Sequence, residues 1–383
     1  MKSNFFILNL ITNCLNNFFF QFLILYFFVT GNFSLISKIV LFVAPIVFLK
    51  DSFSSNQRTL LISDKKLSHF KIFLKKRIVY MIIIIIPYTI IFFLFNNNEE
   101  KLFIFFVVIV LILLWLNELK LAFHENNIES KRMIQNLFCL IFLYLAVIYY
   151  NQSKDIAMLQ ILTICVTLIF VQKIYNNNLK IILFLKKIFR IKKKFDFQLL
   201  STTSTNFVNL IWRIVISLSL SRDFSGVLFA IFAIASFPAS FYNNTVGMTL
   251  EVNKRHQLKF KFIFLSYYFL IIFLVYYIYV NEIVPLNNEN LKTFFIKTGF
   301  FSFLASLLMI FSSIYRIKII NYLKLKRKKL FKLDIIYSFL NLISITIIYF
   351  LLGVLYFYLL LFISSLISIV YFYYYKKNEQ YNF

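Results

Sequence analysis

Cysteine and histidine are scarce, with three of each in 383 residues, and neither set has the spacing that site chemistry needs. Cys14, Cys139 and Cys165 stand singly in apolar runs. They read as small hydrophobes, which excludes a disulfide framework and a thiolate metal centre. His69, His124 and His256 fall in separate polar connections, without metal-ligand intervals. The chain also has no P-loop, no GxGxxG and no GxSxG elbow. Nothing therefore points to an ATP-driven pump, and no cofactor is implied. Polar connections stay under 30 residues, too short for a soluble domain.

Apolar sequence is abundant. Hydrophobic residues make up 61% of the chain and the mean hydropathy is +0.81, values of a polytopic membrane protein. Apolar runs divided by charge, Asn, Pro and Gly predict twelve membrane helices, at 5–29, 34–50, 78–95, 102–122, 134–150, 156–175, 199–221, 225–247, 262–281, 294–315, 335–352 and 354–375. The first run is long, Asn-rich and without a small-residue cleavage site, so it reads as a membrane helix and not as a signal peptide. Only Gly353 separates the last two, which demands a tight hairpin.

The net charge of +26 would suggest nucleic acid on a soluble protein. Its distribution gives another reason. With the N-terminus placed in the cytoplasm, 34 of the 41 Lys and Arg fall in cytoplasmic segments and six on the other side (Lys38, Lys101, Lys154, Arg222, Lys292 and Lys297). That asymmetry is the positive-inside pattern and puts both termini in the cytoplasm. Basic runs such as "KLKRKKLFK" (Lys324 to Lys332) then face anionic membrane lipids, and no nucleic-acid partner is expected. The central connection, 176–198, is basic and amphipathic and lies on the membrane surface. It divides the chain into a six-helix N-lobe, 1–175, and a six-helix C-lobe, 199–383. The expected fold is an all-α integral membrane protein of about twelve helices in two lobes.

The topology count leaves one basic residue, Arg213, inside a span. Thr202, Asn206, Asn209, Arg213 and Ser217 are three or four residues apart and share one helical face. Arginine in lipid costs from about 3 to over 10 kcal/mol, so this face should look onto protein or a water-filled cavity. The nearest intramembrane carboxylates in the sequence are Glu118 and Asp51, both at span ends. A carboxylate on a neighbouring helix, a hydrated cavity or an anionic ligand could each satisfy Arg213. The first helix carries a second stripe, Asn9, Asn13, Asn16, Asn17 and Gln21, whose amides suit either sugar hydroxyls or helix packing. The eighth adds Ser236, Pro238, Ser240, Asn243, Asn244 and Thr245, with Pro238 placed to bend it. Asp51 to Arg58 forms a polar mouth, where Arg58 could meet an anion or belong to an ordinary membrane-edge loop.

Three segments resemble one family. "FSSNQRTLLISDKK" (Phe53 to Lys66) resembles its small-polar-then-Arg segment after the second helix. "SRDFSGVLFAIFAIASFPASFYNNTVGMTL" (Ser221 to Leu250) resembles its Gly-containing turn into the eighth helix, and "IYFLLGVLYFYLL" (Ile348 to Leu360) its last hairpin. With the topology, the chain resembles the O-antigen and capsule repeat-unit flippases of the multidrug/oligosaccharidyl-lipid/polysaccharide exporter superfamily. The resemblance implies a non-enzymatic, alternating-access transporter in the bacterial inner membrane. Its substrate would be an undecaprenyl-pyrophosphate-linked oligosaccharide, its partners a polysaccharide polymerase and chain-length proteins. Arg213 would hold the pyrophosphate, assisted by Arg58 at the entrance, with Thr202, Asn206, Asn209 and Ser217 completing the substrate-binding face. Asn13, Asn17 and Gln21 would contact sugar. A glycan polymerase or ligase, or a small-molecule exporter of the same fold, are the alternatives. The short outward connections, the longest near Glu282 to Thr293, argue against a polymerase, and no coupling acid is evident for an exporter.

Overall fold

A computed structural model describes residues 2–54, 98–127, 129–153, 197–241, 288–322 and 327–380, together with 70, 72–74, 76–81, 268, 284 and 286. Within a bilayer core, backbone N–H and C=O groups must bond inside their own segment, and a long apolar run does so as a helix. Every regular element among the described residues is helical: α1 (Lys2–Val29), α2 (Phe33–Ser54), α3 (Asn98–Asn127), α4 (Ser130–Ser153), α5 (Phe197–Ser219), α6 (Arg222–Phe241), α7 (Glu289–Tyr322), α8 (Arg327–Ile347) and α9 (Leu360–Gln380). Eight spans among them are long and apolar enough to cross a membrane, which makes this a multi-pass membrane protein.

These helices stand at nine of the twelve expected positions. The expected third helix, 78–95, is described only at residues 78–81. The sixth, the ninth apart from Tyr268, and the 176–198 linker apart from Phe197 and Gln198 lie outside the described residues. α5 forms where the sequence places it but is not among the eight apolar spans. It is the most amphipathic described helix, because the Thr202-to-Ser217 row displaces apolar residues from one side.

The chain forms two compact units. The first contains Met1–Phe20 and Pro45–Asp196; the second contains Gln21–Ala44 and Phe197–Phe383. The end of α1 and the start of α2 thus belong with the C-terminal helices, an assignment that hydropathy does not register. In the first unit, α3 is anchored to α1 by amides, and Tyr144 of α4 donates to the Leu15 carbonyl at 2.7 Å. In the second, α7 packs on α9 and α6, and α8 on α5 and α9.

Small residues let these helices approach closely, as membrane packing requires. A Cβ on Gly226 of α6 would lie 2.1 Å from the Phe33 carbonyl oxygen of α2, so no larger residue fits. Beside it the Ser225 and Ser37 hydroxyls meet at 2.7 Å. Large apolar side chains remain exposed along α4 (Phe138, Phe142), α8 (Ile336, Phe339) and α9 (Val370, Tyr374). In water such continuous surface would drive association; against acyl chains it is the ordinary exterior.

The last hairpin turns where the sequence requires. Gly353 has φ 95° and ψ 161°, between a π-helical turn (Ile348–Leu352) and a 3₁₀ turn (Val354–Leu359), and its N–H closes on the Ile348 carbonyl at 2.9 Å. A Cβ there would meet nothing within 4 Å, so the requirement is purely conformational. Gly353→Ala is expected to destabilise the protein by about 1–3 kcal/mol. Chemical or thermal unfolding in detergent would measure this, and an unchanged midpoint would show that the turn relaxes freely.

Candidate functional site

α5 has three faces. At about 100° per residue, Ser201, Val208 and Ile216 share one side; the Thr202-to-Ser217 row lies about 100° further round; Phe207 and Leu218 lie about 130° beyond that. The first side is buried in the second unit. Phe207 and Leu218 are 48% and 71% exposed, as lipid-facing residues are. Between them, Thr202, Asn206, Arg213 and Ser217 are half-buried and Asn209 is exposed. The polar row is thus neither consumed in the core of its unit nor part of the apolar exterior.

Trp212 supports the middle of this row. Its ring lies 6.0 Å from Phe229 and 5.6 Å from Phe232, both buried on α6. Its Nε1–H donates to Asn209 Oδ1 at 3.2 Å, and the Arg213 guanidinium carbon lies 5.7 Å from the indole centroid. One turn on, Ser217 Oγ is buried with no hydrogen-bond partner among the described residues.

The α1 amides are used differently. Asn13 Nδ2 donates to the carbonyl and side-chain oxygens of Asn9, at 2.9 and 2.7 Å. Asn16 Nδ2 donates to the Leu114 carbonyl at 3.1 Å and its Oδ1 accepts from Asn117 at 3.0 Å. Asn9, Asn13 and Asn16 are buried, so this part of the stripe binds α1 internally and to α3. Asn17 and Gln21 are half-buried on the remaining flank. Asn13 and Asn17 belong to the first unit, Gln21 and the α5 row to the second. Arg58 lies outside the described residues, as do Asn243, Asn244 and Thr245.

Two ion pairs correct the expectation that Arg213 is the one basic residue within the membrane helices and that intramembrane acids stop at Glu118 and Asp51. Arg77, which the topology count assigns to a cytoplasmic connection, is fully buried in the first unit. Its guanidinium donates to Glu118 Oε2 at 3.0 Å and to the Trp115 carbonyl, and lies 5.2 Å from the Trp115 ring centroid. In the second unit, Asp334 is 1% exposed and lies inside the span Lys328–Leu352. Its Oδ1 is 3.2 Å from Arg316 Nη2 and its Oδ2 accepts from the Ser201 hydroxyl. The expected helix edges at 78, 315 and 335 leave Arg77, Arg316 and Asp334 just outside, whereas the helices continue past the apolar runs and carry paired charges there. The signal available was opposite charge at the ends of successive spans.

Asp334 meets α5 at Ser201, twelve residues before Arg213 and about 18 Å along the axis. The start of α5 is therefore tied to α7 and α8 through a buried charge, while its polar row stands further along. No family model matches the sequence, and no curated protein or solved structure matches it.

Proposed function

We propose that the chain is a flippase of the bacterial inner membrane, with both termini cytoplasmic. It moves undecaprenyl-pyrophosphate-linked oligosaccharide units from the cytoplasmic leaflet to the periplasmic one by alternating access, for surface-glycan synthesis. The observation that carries this reading is the α5 polar row: five polar residues, one a permanent cation, held off both the core of their unit and the lipid-facing side. A guanidinium in a low-dielectric setting is well suited to a pyrophosphate, which it grips by paired charge-assisted hydrogen bonds. Neighbouring amides and hydroxyls add donors and acceptors for sugar, and an acyl chain can remain beside Phe207 and Leu218.

Purified protein in vesicles loaded with a labelled lipid-linked oligosaccharide tests this. The expected result is protein-dependent exposure of the glycan to a membrane-impermeant glycosidase, with the oligosaccharide length unchanged. Lengthened glycans would instead mark a polymerase, and no exposure above protein-free vesicles would refute the flippase reading.

A further inference from the structure

Two buried amide oxygens in the first unit lack a donor, and the bonds around them fix which way each points. Asn13 turns its NH₂ to the Asn9 carbonyl at 2.9 Å and the Asn9 side-chain oxygen at 2.7 Å. Reversing that amide would set oxygen against oxygen, so its Oδ1 points away from Asn9. Asn16 is fixed in the same manner, because its NH₂ donates to the Leu114 carbonyl. Its oxygen therefore receives the Asn117 NH₂ at 3.0 Å, which turns Asn117 Oδ1 away as well. Asn13 and Asn117 are 1% and 0% exposed, and neither oxygen has a hydrogen-bond partner among the described residues. Both lie close to Asn16: Asn13 precedes it by one helical turn, and Asn117 is bonded to it. Asn9 Oδ1 and Asn16 Oδ1 each accept one printed-length bond and keep a second lone pair. The amides of α1 and α3 thus spend their donors on one another and leave oxygen in excess. A buried carbonyl with nothing positive beside it carries its full desolvation cost.

We infer that these amides form a site for a dehydrated monovalent cation, sodium or potassium, between α1 and α3. A water molecule has two protons to give, whereas a cation acts on every oxygen around it at once. Carbonyl oxygens replace the hydration shell of such ions in selective channels. The donor set is neutral, and Glu118, next to Asn117, is already compensated by Arg77. A divalent ion, whose sites are built with carboxylates, is not matched. This site belongs to the first unit and stands apart from the flippase reading, which α5 carries.

Thermal unfolding of the full chain in detergent tests it, at one ionic strength, in sodium, potassium or N-methylglucamine chloride. The wild-type midpoint is expected to rise saturably as sodium or potassium replaces N-methylglucamine, which is too large to enter. The ion that acts at lower concentration is the occupant. Asn13→Leu keeps a similar volume but removes an oxygen, and should raise the half-effective concentration about 10-fold or abolish the response, the worth of one contact to a charged group. Asn117→Leu should do the same, and serves if Asn13→Leu does not fold. Asn341→Leu removes a buried amide whose oxygen also lacks a partner among the described residues, but in the second unit, and should leave the response intact. Equal wild-type midpoints in all three salts would assign the oxygens to water alone and overturn the inference. So would a full response in Asn13→Leu, or loss of the response in Asn341→Leu.

Discussion

Glu118→Ala is expected to destabilise the protein by about 3–5 kcal/mol, because it strands a buried charge. Arg77 is inaccessible to water, and its charge is compensated within the unit by the Glu118 carboxylate at 3.0 Å. The Trp115 carbonyl and ring contribute dipole and quadrupole but no net negative charge. Removing the carboxylate leaves a guanidinium whose desolvation is no longer offset, and it must drag in water or break the contact between α3 and the helical segment that carries Arg77. Removing both charges should do far less harm. Arg77→Met with Glu118→Leu fills similar volume with apolar groups, and such replacements of buried pairs are often neutral or stabilising. The measurement is unfolding in detergent for both single variants and the double. A double variant as unstable as Glu118→Ala would show that the volume, rather than the charge, holds this region together.

The helices were legible in the sequence because a membrane imposes one rule on them: backbone bonds close within the segment, so apolar run length reports helix position. Gly353 was legible for a related reason, since two spans with one residue between them leave no other way to turn. Charge pairing was not legible. Hydropathy marks where apolar sequence ends and not where a helix does, so Arg77 and Asp334 at those edges were assigned to connections. The α5 row could be read from its spacing, because all of its members share one helix. The amides of α1 could not be resolved that way. Whether Asn16 meets a ligand or Asn117 depends on which helix lies alongside, and residue spacing within one helix carries no such information.

Arg213→Ala is expected to slow glycan translocation by about 10- to 100-fold, the loss of one or two hydrogen bonds to a charged group. In cells the protein should still insert, surface glycan should disappear, and lipid-linked units should accumulate on the cytoplasmic side. Folding should change less than in Glu118→Ala, since Arg213 is half-buried while the side of α5 that packs into the unit is formed by Ser201, Val208 and Ile216. That separation between rate and stability distinguishes Arg213 from Arg77, whose guanidinium is enclosed and whose neutralisation acts on folding first. Arg213→Lys adds a second discrimination. Lysine retains the charge but presents a compact ammonium in place of a planar fork, so it should restore part of the rate if charge alone attracts the substrate and little if paired hydrogen bonds are required. Translocation in vesicles measures both variants, alongside unfolding midpoints. Wild-type rates from Arg213→Ala would remove this residue from substrate handling and leave the polar row of α5 to its remaining amides and hydroxyls.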